Sequence, residues 1–124
     1  MSWIYQQSTG RTRRDPDDGM AYPLSYAGCG VGKNVCDMQN VHDVGPLPQG
    51  WYTIQEPVDT KTHGPYVLWL TPDKENEMFG RSGFGWHSDS IVHPGMASEG
   101  CIISPRSLRT TVWGSGDNRL QVVA

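Results

Sequence analysis

Cys101 and the histidines upstream of it are the residues whose types and spacing suit chemistry. A thiol of ordinary pKa is only a few per cent thiolate at neutral pH. A cysteine nucleophile therefore needs a neighbour that stabilises the thiolate or takes its proton during attack. His87 and His93 stand fourteen and eight residues before Cys101. His87 ends an aromatic, strand-like run, Phe84-Gly-Trp-His87, and Cys101 opens another apolar run, Cys101-Ile-Ile103. A hairpin-like return through residues 88–99 brings these side chains together and makes His87 the base. Ser88 or Asp89 is placed to orient its ring through a backbone or side-chain acceptor, as the third member of a triad. Gly100 lets a substrate approach the backbone and leaves the N–H groups of Gly100 and Cys101 to face an oxyanion. The competing readings are an inert buried thiol for Cys101, a solvated loop position for His93 and a turn residue for Asp89.

A zinc site is the rival chemistry, since His42, His63, His87, His93 and three cysteines are present. No Cys-x-x-Cys, His-x-His or His-Glu-x-x-His spacing occurs, so no metal is expected. Cys29 and Cys36 lie in a Gly-rich stretch and are compatible with a disulfide or with two free thiols. The formal net charge is −3. Arg11, Arg13 and Arg14 are followed at once by Asp15, Asp17 and Asp18, which reads as a loop of mixed charge and argues against nucleic acid as a partner.

The elements that must position these residues are short. Fifteen glycines and nine prolines in 124 residues put much of the chain into turns, while five Trp, five Tyr and two Phe supply a core. One domain over residues 1–124 is expected. No apolar stretch reaches the ~18 residues that a membrane span requires. Met1-Ser-Trp-Ile-Tyr-Gln-Gln7 has neither a basic nor an apolar leader region, so no secretory signal is expected. Strands are expected at Trp3–Gln7, Trp51–Ile54, Pro65–Thr71, Phe84–His87, Cys101–Ile103 and Leu120–Val123. Ala21–Tyr26 is a possible edge partner for the first, with Pro23 confining it to the edge. Gly28 to Gly50 reads as a long irregular segment of the kind that is more often functional than decorative. A helix is expected to start at Ser104-Pro105, with Ser104 as N-cap, and to stop at Gly114. Tyr52 and Trp86 read as core. The fold class is mainly β, a small sandwich or partly open barrel with one short helix after the cysteine.

The run Phe84-Gly-Trp-His87-Ser-Asp-Ser-Ile-Val-His-Pro-Gly-Met-Ala-Ser98-Glu99-Gly100-Cys101-Ile-Ile103 resembles the active-site motif of YkuD-type L,D-transpeptidases. Its Ser-Glu-Gly-Cys-Ile form is similar to a smaller subfamily found in type VI secretion effectors and phage or prophage proteins. Gly45-Pro-Leu-Pro-Gln-Gly-Trp-Tyr-Thr-Ile54 and Gly80-Arg-Ser-Gly83 also resemble family segments. The resemblance implies an L,D-transpeptidase-like catalytic domain without a cofactor, acting on peptidoglycan stem peptides. Cys101 would attack the carbonyl of the third stem residue and expel the terminal D-alanine. Water would resolve the thioester in an L,D-carboxypeptidase, and a D-amino acid or other amine would resolve it in a transpeptidase. Arg81, Ser82, His93, Ser98, Glu99 and Arg106 are the implied substrate contacts, with Arg106 facing a carboxylate. Glu99 stands where the broader family has histidine, and the arginine after the cysteine is delayed to Arg106. A helix-surface charge is the bland reading of Arg106. The implied setting is synthesis in the cytoplasm, delivery to the periplasm by a non-Sec route, and a possible immunity or delivery partner. The alternative is a catalytically silent module on the same fold that binds cell-wall peptides or a partner.

Overall fold

The computed structural model describes residues 1–124. The aromatic and aliphatic run Trp3-Ile-Tyr5, buried on both faces, makes strand β1, Ser2–Gln6, and Ser8–Gly10 reverses the chain into β2, Arg11–Asp15. The basic cluster is thus a strand rather than a loop, and it takes the place expected for Ala21–Tyr26. It works as a strand because Thr12 turns inward while the charged residues around it stay at least partly exposed at the edge of the sheet. Arg14 lies over the Trp3 ring, its register partner on β1, and pairs with Asp117. Of the Ala21–Tyr26 segment only Tyr26 is in a strand, the two-residue β3, Tyr26–Ala27. Residues 28–49 are irregular apart from two single 3-10 turns, as their glycines and prolines require. All three cysteines are free thiols.

The remaining elements are β4 Gly50–Ile54, β5 Val58–Thr60, β6 Gly64–Pro72, β7 Gly85–His87, β8 Ile102–Ile103, helix α1 Arg106–Gly114 and β9 Arg119–Val123. They form a curled half-barrel sheet in the order β2-β1-β9-β4-β6-β7-β8-β3, with β5 paired to β6. Trp3, Tyr5, Tyr52, Leu68, Trp86 and Ile102 fill its inner face, and α1 adds Leu108 and Val112 to the same core. Pro105 is the residue at the N-terminal end of α1, which has no side-chain cap. The Ser104 hydroxyl is turned away from the cap position and accepts from the Trp86 indole N–H at 2.6 Å.

The pairing of β7 with β8 matters most for the site, and it is parallel, not a hairpin. Parallel neighbours need a crossover of about a dozen residues or more, and residues 88–101 supply it. Trp86 faces Ile102 and His87 faces Ile103, so the register carried back one residue sets Cys101 beside Gly85. Paired residues share a face, and so do residues two apart on one strand. Trp86 and Ile102 therefore point into the core, while Gly85, His87 and Cys101 share the opposite face. Trp69 of β6 pairs with Gly85 on that face. A Cβ at Gly85 would stand 2.9 Å from the Trp69 ring, so the indole can lie over the strand only because residue 85 is glycine.

Candidate active site

Cys101 and His87 line one cleft of about 1020 Å³. Both are buried, with 7% and 4% of their surface exposed. The Cys101 Sγ accepts from the Gly85 N–H at 3.3 Å, and the residue's own N–H also lies against the sulfur. Burial pushes the thiol pKa up; the Gly85 N–H opposes this, Glu99 adds to it, and the Arg81 charge opposes it again. The net direction is upward.

His87 Nδ1 lies 2.9 Å from the Ser88 carbonyl oxygen. A carbonyl only accepts, so Nδ1 carries the proton and Nε2 of the neutral ring keeps its lone pair. Burial lowers the pKa of His87; the Ser88 carbonyl and Asp89 pull it up, while the His63 and Arg109 charges press it down further. The resting pair is accordingly a neutral thiol and a neutral imidazole.

Two buried arginines, neither with a carboxylate partner, frame this pair. Arg81 donates to the carbonyls of Gln39, Pro46, Gly45 and Glu99 at 2.6 to 3.1 Å and lies over the Phe84 ring. It ties the irregular 28–49 segment to the approach of the cysteine, so its guanidinium is consumed by the fold and does not face the cleft. Arg109 on α1 donates to the carbonyls of Tyr66, Ser104 and Pro65 and to the Ser88 hydroxyl. It therefore grips the residue whose carbonyl holds His87. Arg109 escaped the sequence reading, although a charge next to Leu108 on the apolar stripe of a short helix was the available signal.

The other expected site residues divide clearly. Ser82, His93 and Glu99 line the cleft. Ser98 is buried: its Oγ accepts from the Gly28 and Gly100 N–H groups and donates to the Cys101 carbonyl at 2.6 Å. Ser98 therefore shapes the loop and is not a substrate contact. The same bond occupies the Gly100 N–H, which is not free for an oxyanion. Gly100 is needed for another reason. Its φ is +133°, and a Cβ there would meet Phe84 at 2.6 Å and Arg81 at 2.7 Å, so protein rather than substrate makes the close approach. The Asp89 carboxylate accepts from the Tyr26 hydroxyl at 2.6 Å and from the N–H groups of Ser90 and Gly95. It anchors the crossover instead of orienting the His87 ring. Burial opposes its charge, yet these bonds and Lys33 outweigh it and hold the carboxyl below its ordinary value. Arg106 is exposed and stacks over Tyr66, away from the cleft. His63, considered above only as a metal ligand, lines the cleft with its ring against His87.

The curled sheet with its one short helix is that of an L,D-transpeptidase fold. A crystal structure of an L,D-transpeptidase (Yku) from Stackebrandtia nassauensis superposes on this chain with a TM-score of 0.56 at 14% sequence identity. The match covers 99% of this chain and 55% of that one, so this chain spans about half the length of that protein. No curated protein sequence matches the chain. The Tlde1 domain family matches residues 23–115, and the chain belongs to that family.

Proposed function

We propose that this protein is a cysteine-dependent L,D-transpeptidase or L,D-carboxypeptidase of peptidoglycan tetrapeptide stems, delivered as an antibacterial effector. The observation that carries the reading is a thiol and an imidazole on one sheet face of one cleft, the imidazole held by Ser88 with Nε2 unprotonated. The Tlde1 family and the L,D-transpeptidase fold support peptidoglycan as the target. No helix is long and apolar enough to cross a membrane.

Because both groups rest neutral, His87 acts as a general base and not as half of a preformed ion pair. Nε2 takes the Sγ proton as sulfur bonds to the carbonyl carbon of the third stem residue. The Cys101 N–H, and the Gly85 N–H once the sulfur is bonded to carbon, are the donors nearest the developing oxyanion. The bond to the terminal D-alanine nitrogen then breaks, and the proton on Nε2 passes to the leaving amine. Attack on the thioester by water yields a tripeptide, and attack by a D-amino acid or another amine yields an exchanged or cross-linked stem. In either case Nε2 of His87 takes the attacking group's proton, the carbon–sulfur bond breaks, and that proton passes to the departing Cys101 sulfur to restore the thiol.

Mass spectrometry of muropeptides incubated with wild type, Cys101→Ala and His87→Gln, with and without a free D-amino acid, tests this reading. Wild type should convert tetrapeptides to tripeptides or exchanged stems, and each variant should lose at least about 100-fold. Turnover by Cys101→Ala at the wild-type rate would remove the nucleophile assignment. Unchanged muropeptides with folded, reduced wild type would favour the binding module.

A further inference from the structure

His63 reaches the cleft on the β5–β6 turn, Thr60-Lys-Thr-His-Gly64, and that turn is built to hold it. The Thr60 hydroxyl accepts from the His63 backbone N–H at 2.8 Å and donates to the Gly64 carbonyl. The Thr62 hydroxyl shares a hydrogen bond with His63 Nδ1 at 2.7 Å. The His63 ring then meets two rings edge to face. Its centroid is 4.9 Å from that of His87 at an interplanar angle of 75°, and 5.1 Å from that of Trp69 at 74°. Trp69 is in turn seated on Gly85, the neighbour of Cys101 by register. A continuous stack thus runs from the strand beside the nucleophile, through Trp69 and His63, to the base.

We propose that His63 is a positioning residue for His87, fixing the plane of its imidazole and setting the pH at which Nε2 is free to take the Cys101 proton. The inference rests on the reading of His87 as base. Edge-to-face contact between rings is directional, so it restrains rotation about the bond that the Ser88 hydrogen bond alone leaves as a hinge. A charge on the half-buried His63 ring, 4.9 Å from the buried His87 ring, opposes protonation of His87. The other groups that act on His87 are the Ser88 carbonyl and Asp89 in the crossover, which favour its protonation, and Arg109 from α1, which opposes it; the Cys101 thiol lines the same cleft.

His63→Phe keeps a ring and removes the charge, whereas His63→Ala removes both. NMR titration of the His87 ring reads the effect without relying on turnover, and the pH profile of tetrapeptide cleavage reads its consequence. In His63→Phe the His87 titration and the acid limb of kcat should move upward together, with the plateau within about 3-fold of wild type. His63→Ala should lower the kcat plateau by about 10-fold or more, through loss of alignment, while KM changes less. An unchanged His87 titration in His63→Phe would overturn the inference, as would a plateau that falls as far in the Phe variant as in the Ala variant. A His87 titration that shifts in His63→Phe, with a wild type that leaves muropeptides untouched, would instead sink the enzymatic reading and keep the coupling between the rings.

Discussion

Cys101 and His87 are both buried in forms that favour the uncharged state, and this gives the folded protein a pH window of its own. The His87 pKa lies below the ordinary 6.5, so between the two values the unfolded chain binds more protons than the folded one. Stability is therefore fully present above 6.5 and is lost as pH falls through the lowered value. The Cys101 pKa lies above the ordinary 9.0, so its contribution is fully present below 9.0 and is lost as pH rises toward the raised value. Thermal denaturation across pH should give a plateau between those two ordinary values with a shoulder on each side. Cys101→Ala should remove the loss that begins near 9.0 and leave both the acid shoulder and the later loss above 10, which belongs to the Tyr5, Tyr26 and Tyr52 hydroxyls that burial holds above their ordinary value of 10.0. A loss that still begins near 9.0 in the variant would assign that part to another group. These two residues were legible in the sequence because a histidine that ends one strand and a cysteine that begins another make an uncommon pattern. The occupants of Gly100 N–H, Asp89 and Arg81 were not legible, since hydrogen-bond partners far apart in sequence leave no local pattern.

The site depends on how β7, β8 and α1 are fastened together, and Arg109 is the fastener. It holds the carbonyls of Pro65 and Tyr66 at the start of β6, that of Ser104 just before α1, and the hydroxyl of Ser88 just after β7. Arg109→Met keeps much of the side-chain volume but strips four acceptors of their donor, the Ser104 carbonyl buried and the other three partly so. It should destabilise the fold by about 3 to 5 kcal/mol in urea denaturation, and any folded fraction should lose activity because Ser88 no longer has a fixed position. A loss below about 1 kcal/mol would show that water replaces the guanidinium without cost. Most strands here were visible as β-branched and aromatic runs, and Tyr52 and Trp86 are core as their patterns indicate. The Arg11–Asp15 strand was hidden because the amphipathic signal of a charged edge strand rests on one inward threonine. The direction of β8 was hidden for a different reason. Alternation identifies a strand but not its partner, although a connection of this length already exceeds the usual two to five residues of a hairpin loop.

Over the whole molecule, the curled sheet brings its first and last strands side by side, since β1 and β9 pair in parallel while β9 also pairs with β4. The cleft lies elsewhere, on the face shared by β6, β7 and the cysteine approach. The irregular 28–49 segment, which the sequence marked as more than decorative, closes this end: Gly28 N–H holds Ser98, and the carbonyls of Gln39, Gly45 and Pro46 hold Arg81. That segment therefore serves the site by shaping the loop that carries Cys101. Acylation of Cys101 by the substrate is the step on which the proposed chemistry turns, and the acyl-enzyme is its direct signature. Wild type and Cys101→Ala would be mixed with a tetrapeptide muropeptide, quenched in acid during turnover and read by intact-protein mass spectrometry. Wild type should carry an adduct equal to the muropeptide less its terminal D-alanine, mapped to Cys101 by peptide sequencing and absent from the variant. Tripeptide product formed at equal rates by both proteins, or an adduct carried on Cys29 or Cys36 instead, would contradict it.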